Sequence, residues 1–229
     1  MKFKNLDIQW LGHASFLLKF NNRNGKIIYI DPYNLPEQVE KDTEKADLIL
    51  ITHSHYDHCS VKDIGKIVKE GSIIVGPADI QSKISKLDEK LDLKIIDVGS
   101  GLELFNGQVK ILGVPSYNIN KQFHPKDERW LGYVIKVSTG ETIYHAGDTD
   151  LIPEIEKLQG KISVALLPVG GTYTMNAEQA AEAASIIKPE LAIPMHFGEI
   201  VGNSEDAQEF KSISEQKGIK TEILEKNDA

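Results

Sequence analysis

Three histidines and one aspartate fall within a single six-residue segment of this chain. They are His53, His55, Asp57 and His58, and they follow the apolar run 48–51. Imidazole nitrogens and carboxylate oxygens are ligands for zinc and also for iron, nickel and manganese. The chain has only 7 histidines among 229 residues, so a group this close indicates a metal site rather than a solvated polar loop.

The spacing of the motif suggests how its side chains reach a metal. The apolar run 48–51 predicts a strand buried on both faces. Alternate residues of an extended chain point the same way, so His53 and His55 can face one ion. Asp57 and His58 lie where the chain should turn into a helix predicted over 61–70. This corner can therefore serve a second metal position.

The cysteine content separates a catalytic site from a structural one. A structural zinc site is closed by four protein ligands and is usually rich in cysteine. This chain has one cysteine, Cys59, which is expected to be a small buried residue. A catalytic site that leaves a coordination position to water or substrate is favoured. We expect one or two divalent ions, zinc first, with manganese, iron or nickel as alternatives.

Length and charge limit the remaining function classes. At 229 residues the chain is long enough for a well-filled core, and one domain over 1–229 is expected. The net charge of −8 argues against a nucleic-acid partner. No run approaches membrane-spanning length, and a lone cysteine fits a reducing cytoplasm. A small-molecule substrate is the expected partner, and a homo-oligomer is left open.

The order of predicted elements indicates an α/β fold. Strand signals fill the first third, with a β-hairpin expected around the turn 21–25. Helices are predicted at 79–83, 177–187 and 205–216, and strands recur between them. Two β-rich halves, each followed by helices, suggest two sheets packed face to face with helices outside.

Four residues in one loop rarely complete a two-metal site, so further ligands are expected at distant strand ends. Asp148 stands just past a strand that runs into a glycine turn, and His196 ends another strand. A third strand ends in the segment 113–118, which supplies no histidine.

With these segments the sequence resembles the metallo-β-lactamase-fold superfamily. The resemblance is strongest at 52–58, 147–149 and 194–196. The opening segment 10–14 looks like the compact branch that includes L-ascorbate-6-phosphate lactonase and N-acyl-phosphatidylethanolamine phospholipase. The resemblance implies a four-layer αββα sandwich. It also implies metal ligands in this order: His53 and His55 on the first ion, Asp57, His58 and His196 on the second, and Asp148 bridging them.

One position departs from the family pattern. The family usually has a third first-metal histidine in a Pro-Ala-x-His segment, which reads Pro-Ser-Tyr-Asn here and ends at Asn118. Asparagine is a weak, neutral oxygen ligand. His124 is the nearby histidine that could replace the missing ligand, with an exposed loop residue or a substrate contact as alternatives.

Two further residues at strand ends are candidates for supporting roles. His13 could bind substrate, orient a ligand or make a structural hydrogen bond. Asp31 could accept a hydrogen bond from a metal-bound imidazole, or simply form an Asp-Pro turn.

The expected activity is metal-dependent hydrolysis. A metal-bound hydroxide, oriented by Asp57, would attack an ester, lactone, amide or phosphodiester of a small molecule. A non-catalytic metal-binding or sensing protein is one alternative, and a phosphodiesterase or nuclease of the same fold is another. A di-iron redox centre is disfavoured by His55, where related di-iron proteins carry an acidic residue.

Overall fold

The structure is a computed structural model, and it describes residues 1–20, 25–35, 45–87 and 90–226. The chain divides into two compact units. The first comprises Met1–Asp97 with Glu225–Ala229, and the second comprises Val98–Leu224. The expected single domain over 1–229 remains a prediction.

The first unit is built on a seven-stranded sheet whose strands follow one another in sequence order. They are β1 Lys2–Phe3, β2 Leu6–Gly12, β3 Ser15–Phe20, β4 Ile27–Ile30, β5 Leu48–Leu50, β6 Ile73–Gly76 and β7 Asp92–Ile95. Pairing is antiparallel from β1 to β4 and parallel from β4 to β7. The parallel strands place their carboxyl ends at one edge, where loops carry function in α/β sheets.

Short helices and a hydrophobic cluster complete the first unit. Helix α1, Val61–Ile67, begins after Ser60, whose hydroxyl accepts from the Asp63 amide as an N-cap. A 3₁₀ turn, Ala78–Ile80, leads into α2, Gln81–Ile84. Ile49, Ile64 and Ile74 belong to one buried apolar cluster of this unit. Burial of such side chains is the main stabilising term for the fold.

The second unit is built on a six-stranded sheet with the order β13-β12-β11-β10-β9-β8. The strands are β8 Gly101–Leu104, β9 Val109–Pro115, β10 Leu131–Val137, β11 Thr142–His145, β12 Val164–Pro168 and β13 Leu191–Met195. Pairing is antiparallel from β8 to β11 and parallel from β11 to β13. Strands β9, β11, β12 and β13 consequently share a direction, so their carboxyl ends meet at one edge.

Two longer helices belong to the second unit. Helix α3, Ala177–Ile187, has a capping box in which Asn176 accepts from the Gln179 amide and the Gln179 side chain accepts from the Asn176 amide. Helix α4, Ser204–Gln216, has a similar box at Asn203. The two helices pack on each other, and α3 also packs on β12 and on a 3₁₀ helix, Pro153–Leu158.

The element predictions agree closely with the structure. Two mixed sheets with helices are present, α3 has the predicted bounds, and α4 starts one residue earlier than expected. Helix α1 ends at Ile67 rather than at residue 70, because Val68 is already extended. Of the turn predicted at 21–25, residues 21–24 lie outside the described residues, although the flanking strands β3 and β4 do pair antiparallel. No helix in the described ranges combines the length and apolar character needed to cross a bilayer.

Candidate metal centre

In the first unit, strand pairing brings Asp31 beside the histidine motif. Strands β4 and β5 are parallel neighbours, with Ile30 paired to Leu50. The Asp31 amide donates to the Leu50 carbonyl oxygen at 2.9 Å. The first residue after β4 therefore lies beside the first residues after β5, which is the edge from which the motif extends.

Asp31 is fully buried and accepts three hydrogen bonds. Its donors are the Thr52 amide at 2.7 Å, the Thr52 hydroxyl at 2.6 Å and His58 Nδ1 at 2.7 Å. A carboxylate can only accept, so Nδ1 of neutral His58 carries the proton and Nε2 carries the lone pair. This is the carboxylate–histidine arrangement that orients metal-binding imidazoles. Of the two roles considered for Asp31, the structure shows the hydrogen bond to an imidazole.

Thr52 determines which ring nitrogen carries the proton in a second histidine. Its hydroxyl donates its single proton to Asp31 and lies 3.0 Å from His53 Nδ1. The threonine oxygen therefore accepts from His53 Nδ1, which leaves the lone pair on His53 Nε2. The rings of His53 and His58 are 4.1 Å apart between centroids. The sequence analysis assigned Thr52 no role, because that role depends on the register between β4 and β5.

His13 contacts the aspartate of the motif. His13 Nε2 lies 3.0 Å from Asp57 Oδ2, and Asp57 Oδ2 is 3.6 Å from His58 Nε2. One ligand atom from each of these three residues lies within 4.8 Å of the others. His13 has φ of 49°, a left-handed conformation that costs energy for a non-glycine residue and is concentrated at functional sites.

His53 and His55 lie together at the other side of the motif. His53 Nε2 is 3.1 Å from His55 Nδ1, and the ring centroids are 4.7 Å apart. The expectation that the two residues face the same point is met within this unit. The His55 nitrogen that lies closest to His53 Nε2 is Nδ1. In His53 and His58, by contrast, the nitrogen that carries the lone pair is Nε2.

Cys59 follows the motif but has the properties of a core residue. It is buried in the apolar cluster of the first unit. Burial raises the pKa of Cys59 to about 12. A thiol that keeps its proton at neutral pH is neither a good metal ligand nor a nucleophile, as the sequence analysis expected.

In the second unit, two histidines converge on one carboxylate oxygen. His196 Nε2 lies 3.1 Å from Asp148 Oδ2, and His124 Nε2 lies 3.2 Å from the same oxygen. All three residues are buried. Asp148 and His196 follow the parallel strands β11 and β13, as the strand-end argument predicted. The structure thus places His124 with the two residues already expected to bind metal.

Asn118 lies beside His124 and holds the loop that carries it. The Asn118 amide donates to the His124 carbonyl oxygen at 2.7 Å. Its side-chain Nδ2 donates to the carbonyl oxygens of Phe123 at 3.0 Å and Tyr173 at 2.6 Å. Asn118 therefore closes the loop 118–124, in which His124 adopts φ of 57°.

A partly buried ion pair fixes the same loop. Asp150 accepts from the Ile119 amide at 2.8 Å and from Lys121 Nζ at 2.5 Å. Lys121 Nζ also donates to the carbonyl oxygens of Thr174 at 2.7 Å and Gly171 at 3.2 Å. Sequence reasoning missed both residues. The only available signal was the repeated aspartate in the segment 148–150.

Gly147 allows the turn that directs Asp148. Its φ is 64°, and an added Cβ would lie 2.7 Å from the Leu131 carbonyl oxygen and 2.9 Å from Ser116 Oγ. Both the backbone conformation and the lack of space require glycine here.

The imidazole nitrogens and carboxylate oxygens of the two clusters suit a divalent metal ion as ligands. Each cluster combines imidazole nitrogens with carboxylate oxygen, and every side chain in the two clusters except that of His55 is buried. In the first unit, Asp31 and Thr52 hold two imidazoles with Nε2 as the ligand atom. Neither cluster contains a thiolate, which fits zinc, iron, nickel or manganese in a site that also admits water.

Comparison with known proteins decides the family. A family model described as the beta-lactamase superfamily domain matches residues 7–196. The chain belongs to the metallo-β-lactamase superfamily. A metal-dependent hydrolase of Thermodesulfovibrio yellowstonii is 35% identical in sequence to this protein, and the match covers 97% of this chain and 90% of the relative. A metal-dependent hydrolase of Thermococcus kodakarensis is 36% identical, and the match covers 95% of this chain and 94% of the relative.

Solved structures agree with this assignment. A metal-dependent hydrolase from Parabacteroides distasonis has a TM-score of 0.81 and 32% identity, and the match covers 96% of this chain and 94% of that one. Igni18, a metallo hydrolase from Ignicoccus hospitalis, has a TM-score of 0.79 and 26% identity, and the match covers 97% of this chain and 96% of that one. The predicted superfamily and fold class are confirmed. The narrower likeness to the lactonase and phospholipase branch stays a prediction.

Proposed function

We propose that this metallo-β-lactamase superfamily member hydrolyses an ester, lactone, amide or phosphodiester bond of a small molecule, with zinc as its metal. The relatives named as metal-dependent hydrolases support the reaction class. The observation that carries the proposal is the shared oxygen of Asp148, which two imidazole Nε2 atoms approach within 3.2 Å. A buried carboxylate surrounded by imidazole nitrogens is costly unless a cation balances the negative charge of the carboxylate.

The proposed ligands follow the motif positions of the family, with one replacement. They are His53, His55, His124, Asp57, His58, His196 and Asp148. His124 takes the place of the histidine that the family has at Asn118. The distance of 3.2 Å from His124 Nε2 to Asp148 Oδ2 supports this replacement, because it nearly equals the 3.1 Å from His196 Nε2 to the same oxygen. Asn118 serves as a support for the loop rather than as a ligand.

When bound, a divalent ion supplies Lewis acidity and lowers the pKa of water into the neutral range. The protein's own residues provide orientation and proton transfer. His13 Nε2, at 3.0 Å, anchors Oδ2 of Asp57, so the Asp57 carboxylate is held in place to accept a proton from the attacking water. Asp31 keeps the proton of His58 on Nδ1.

We propose a small-molecule substrate, neither nucleic acid nor membrane as a partner, and a cytoplasmic protein. The acidic net charge of −8 supports the exclusion of nucleic acid. The single buried cysteine supports a reducing compartment. Cell fractionation with a compartment marker would test the location.

A hydrolysis panel of lactones, thioesters and phosphodiesters tests the function. Activity should disappear with a chelator, return with zinc, and be absent from Asp57→Ala. An Asp57→Ala protein as active as the wild type on a panel substrate would refute the proposed role of Asp57.

Metal analysis tests the replacement by His124. His124→Ala should lower the zinc content per chain. Phe123→Ala is the matched control, because it removes a neighbouring ring that packs on Tyr173 and no ligand. Equal zinc content in His124→Ala and the wild type would show that His124 is not a ligand.

A further inference from the structure

A groove of about 690 Å³ lies on the sheet of the second unit. Its floor includes Leu112, Val134 and Tyr144, which lie directly opposite one another on β9, β10 and β11. Directly opposed residues of neighbouring strands share one face of the sheet. The volume falls within the range of about 300 to 1,000 Å³ that is typical of small-molecule sites.

The groove has walls as well as a floor. Ile155 and Leu158 line it from the 3₁₀ helix Pro153–Leu158, and Trp130 lines it from the position just before β10. Leu112 is 40% exposed, although it is a large apolar side chain. A concave, mainly apolar surface of this size suits a small molecule with an apolar body. His124, Asp148 and His196 do not line this groove, so it is separate from the proposed metal ligands of this unit.

Tyr144 adds a polar side chain to the lining of the groove. Tyr144 is 1% exposed and lines the cavity. Within the described part of the chain, its hydroxyl has no hydrogen-bond partner. Burial raises the pKa of Tyr144, so the hydroxyl keeps its proton and can donate. A buried hydroxyl is stabilised by gaining a partner, which a polar atom of a ligand would provide.

The rim of the groove is positively charged, although the chain has a net charge of −8. Four cationic and two acidic side chains line it: Lys126, Arg129, Lys157 and Lys161, against Asp127 and Glu154. Lys126 pairs with Glu154 at 3.1 Å. Lys161 Nζ donates to the Lys157 carbonyl oxygen at 2.8 Å. Among the residues that the structure describes, no carboxylate pairs with the ammonium group of Lys157 or Lys161.

We propose that this groove binds a small amphipathic anion, an apolar body that carries one carboxylate or sulfonate group. The apolar body packs on Leu112 and Val134. The anionic group lies toward Lys157 and Lys161, and the Tyr144 hydroxyl donates to a polar atom of the ligand. The apolar floor accounts for the body of the ligand, and the uncompensated lysines account for its charge.

Fluorescence titration of the metal-loaded protein with 8-anilinonaphthalene-1-sulfonate tests the site. The probe should bind, dodecanoate should displace it, and acetate should not. Dodecan-1-ol, which has the same chain without the charge, should displace it about tenfold less well. Leu112→Glu should weaken probe binding by about tenfold or more. Ile95→Glu, at a similarly exposed apolar residue of the first unit (41%), should not.

Two further variants separate charge from hydrogen bonding. Lys157→Gln with Lys161→Gln should remove the preference for dodecanoate over dodecan-1-ol, whereas Lys211→Gln with Lys220→Gln should preserve it. Tyr144→Phe should weaken probe binding several-fold without changing the circular dichroism spectrum. The surface lysine variants decide the question if Leu112→Glu fails to fold.

Either of two results would overturn the proposal. The first is probe binding that is unchanged in the Leu112→Glu and lysine variants. The second is a concentration-dependent dimer, measured by light scattering, that Leu112→Glu dissociates and dodecanoate does not affect. This result would identify a second copy of the chain as the occupant.

Discussion

Asp31→Asn tests whether a buried carboxylate prepares His58 for metal binding. The substitution preserves the size of the side chain and removes its charge. Asp31 accepts from the Thr52 amide through Oδ1, and from the Thr52 hydroxyl and His58 Nδ1 through Oδ2. An asparagine has only one accepting oxygen. In either orientation of the asparagine side chain, at least one of these donors would face an N–H group.

The expected magnitudes follow from these contacts. Loss of one hydrogen bond to a charged group costs about 1.5 to 3 kcal/mol of folding stability. Loss of the carboxylate that orients a metal-bound histidine typically lowers metal affinity by about 10- to 100-fold. This range corresponds to about 1.4 to 2.8 kcal/mol of binding free energy.

The assay is competition for zinc with a chromophoric chelator, combined with urea unfolding of the metal-free protein. Asp63→Asn is the control, because Asp63 is also buried and accepts from the Asn34 and Leu35 amides and from Lys66. It should lower stability and leave zinc affinity unchanged. Wild-type zinc affinity in Asp31→Asn would refute the proposed role of Asp31.

Three other predictions concern residues outside the proposed metal ligands. Because burial raises the pKa of Cys59 to about 12, iodoacetamide should modify the native protein much more slowly than the urea-unfolded protein, as mass spectrometry would detect; equal rates would contradict this. Burial raises the pKa of Asp47, but hydrogen bonds from Lys69 and the Ile27 amide, together with the positive charges of Lys69 and Lys26, outweigh it and lower that pKa. The stabilisation from Asp47 is therefore present above the unfolded-state pKa of about 4 and lost at lower pH, so the melting temperature should fall more between about pH 5 and pH 3 in the wild type than in Asp47→Asn; parallel curves would count against it. Asn176→Ala should remove the capping box of α3 and cost about 1 kcal/mol in urea unfolding, whereas Asn176→Asp, which keeps an N-cap oxygen, should be close to the wild type.

The parts of the site that depend on local sequence were predictable. The motif at 53–58 combines its proposed metal ligands in one loop, and Asp148 and His196 follow recognisable strands. Parallel strands end at a common edge, so residues after such strands can be expected near one another without knowledge of the packing.

The supporting contacts were harder to predict because they depend on register and on contacts distant in sequence. The role of Thr52 requires Leu50 to pair with Ile30. The role of Asn118 requires contact with Tyr173, which lies 55 residues away. The lysine at 121 is unremarkable in sequence, and only the fold brings it to Asp150.

The groove of the second unit was not predicted for the same reason. Leu112, Val134 and Tyr144 are ordinary strand residues in sequence. Their common face depends on the pairing of three strands. The cations of the rim come from two separate 3₁₀ helices, Lys126–Glu128 and Pro153–Leu158, and from the residues that follow them. Charge patterning along the chain does not reveal such a combination.

The central claim is that Asp148 and the histidines around it hold a catalytic metal. The most direct test is the metal content per chain of the purified wild-type and Asp148→Ala proteins, measured by inductively coupled plasma mass spectrometry. We expect stoichiometric zinc in the wild type and loss of most of it in Asp148→Ala. A wild-type protein without stoichiometric metal, or an Asp148→Ala protein with wild-type metal content, would contradict the claim.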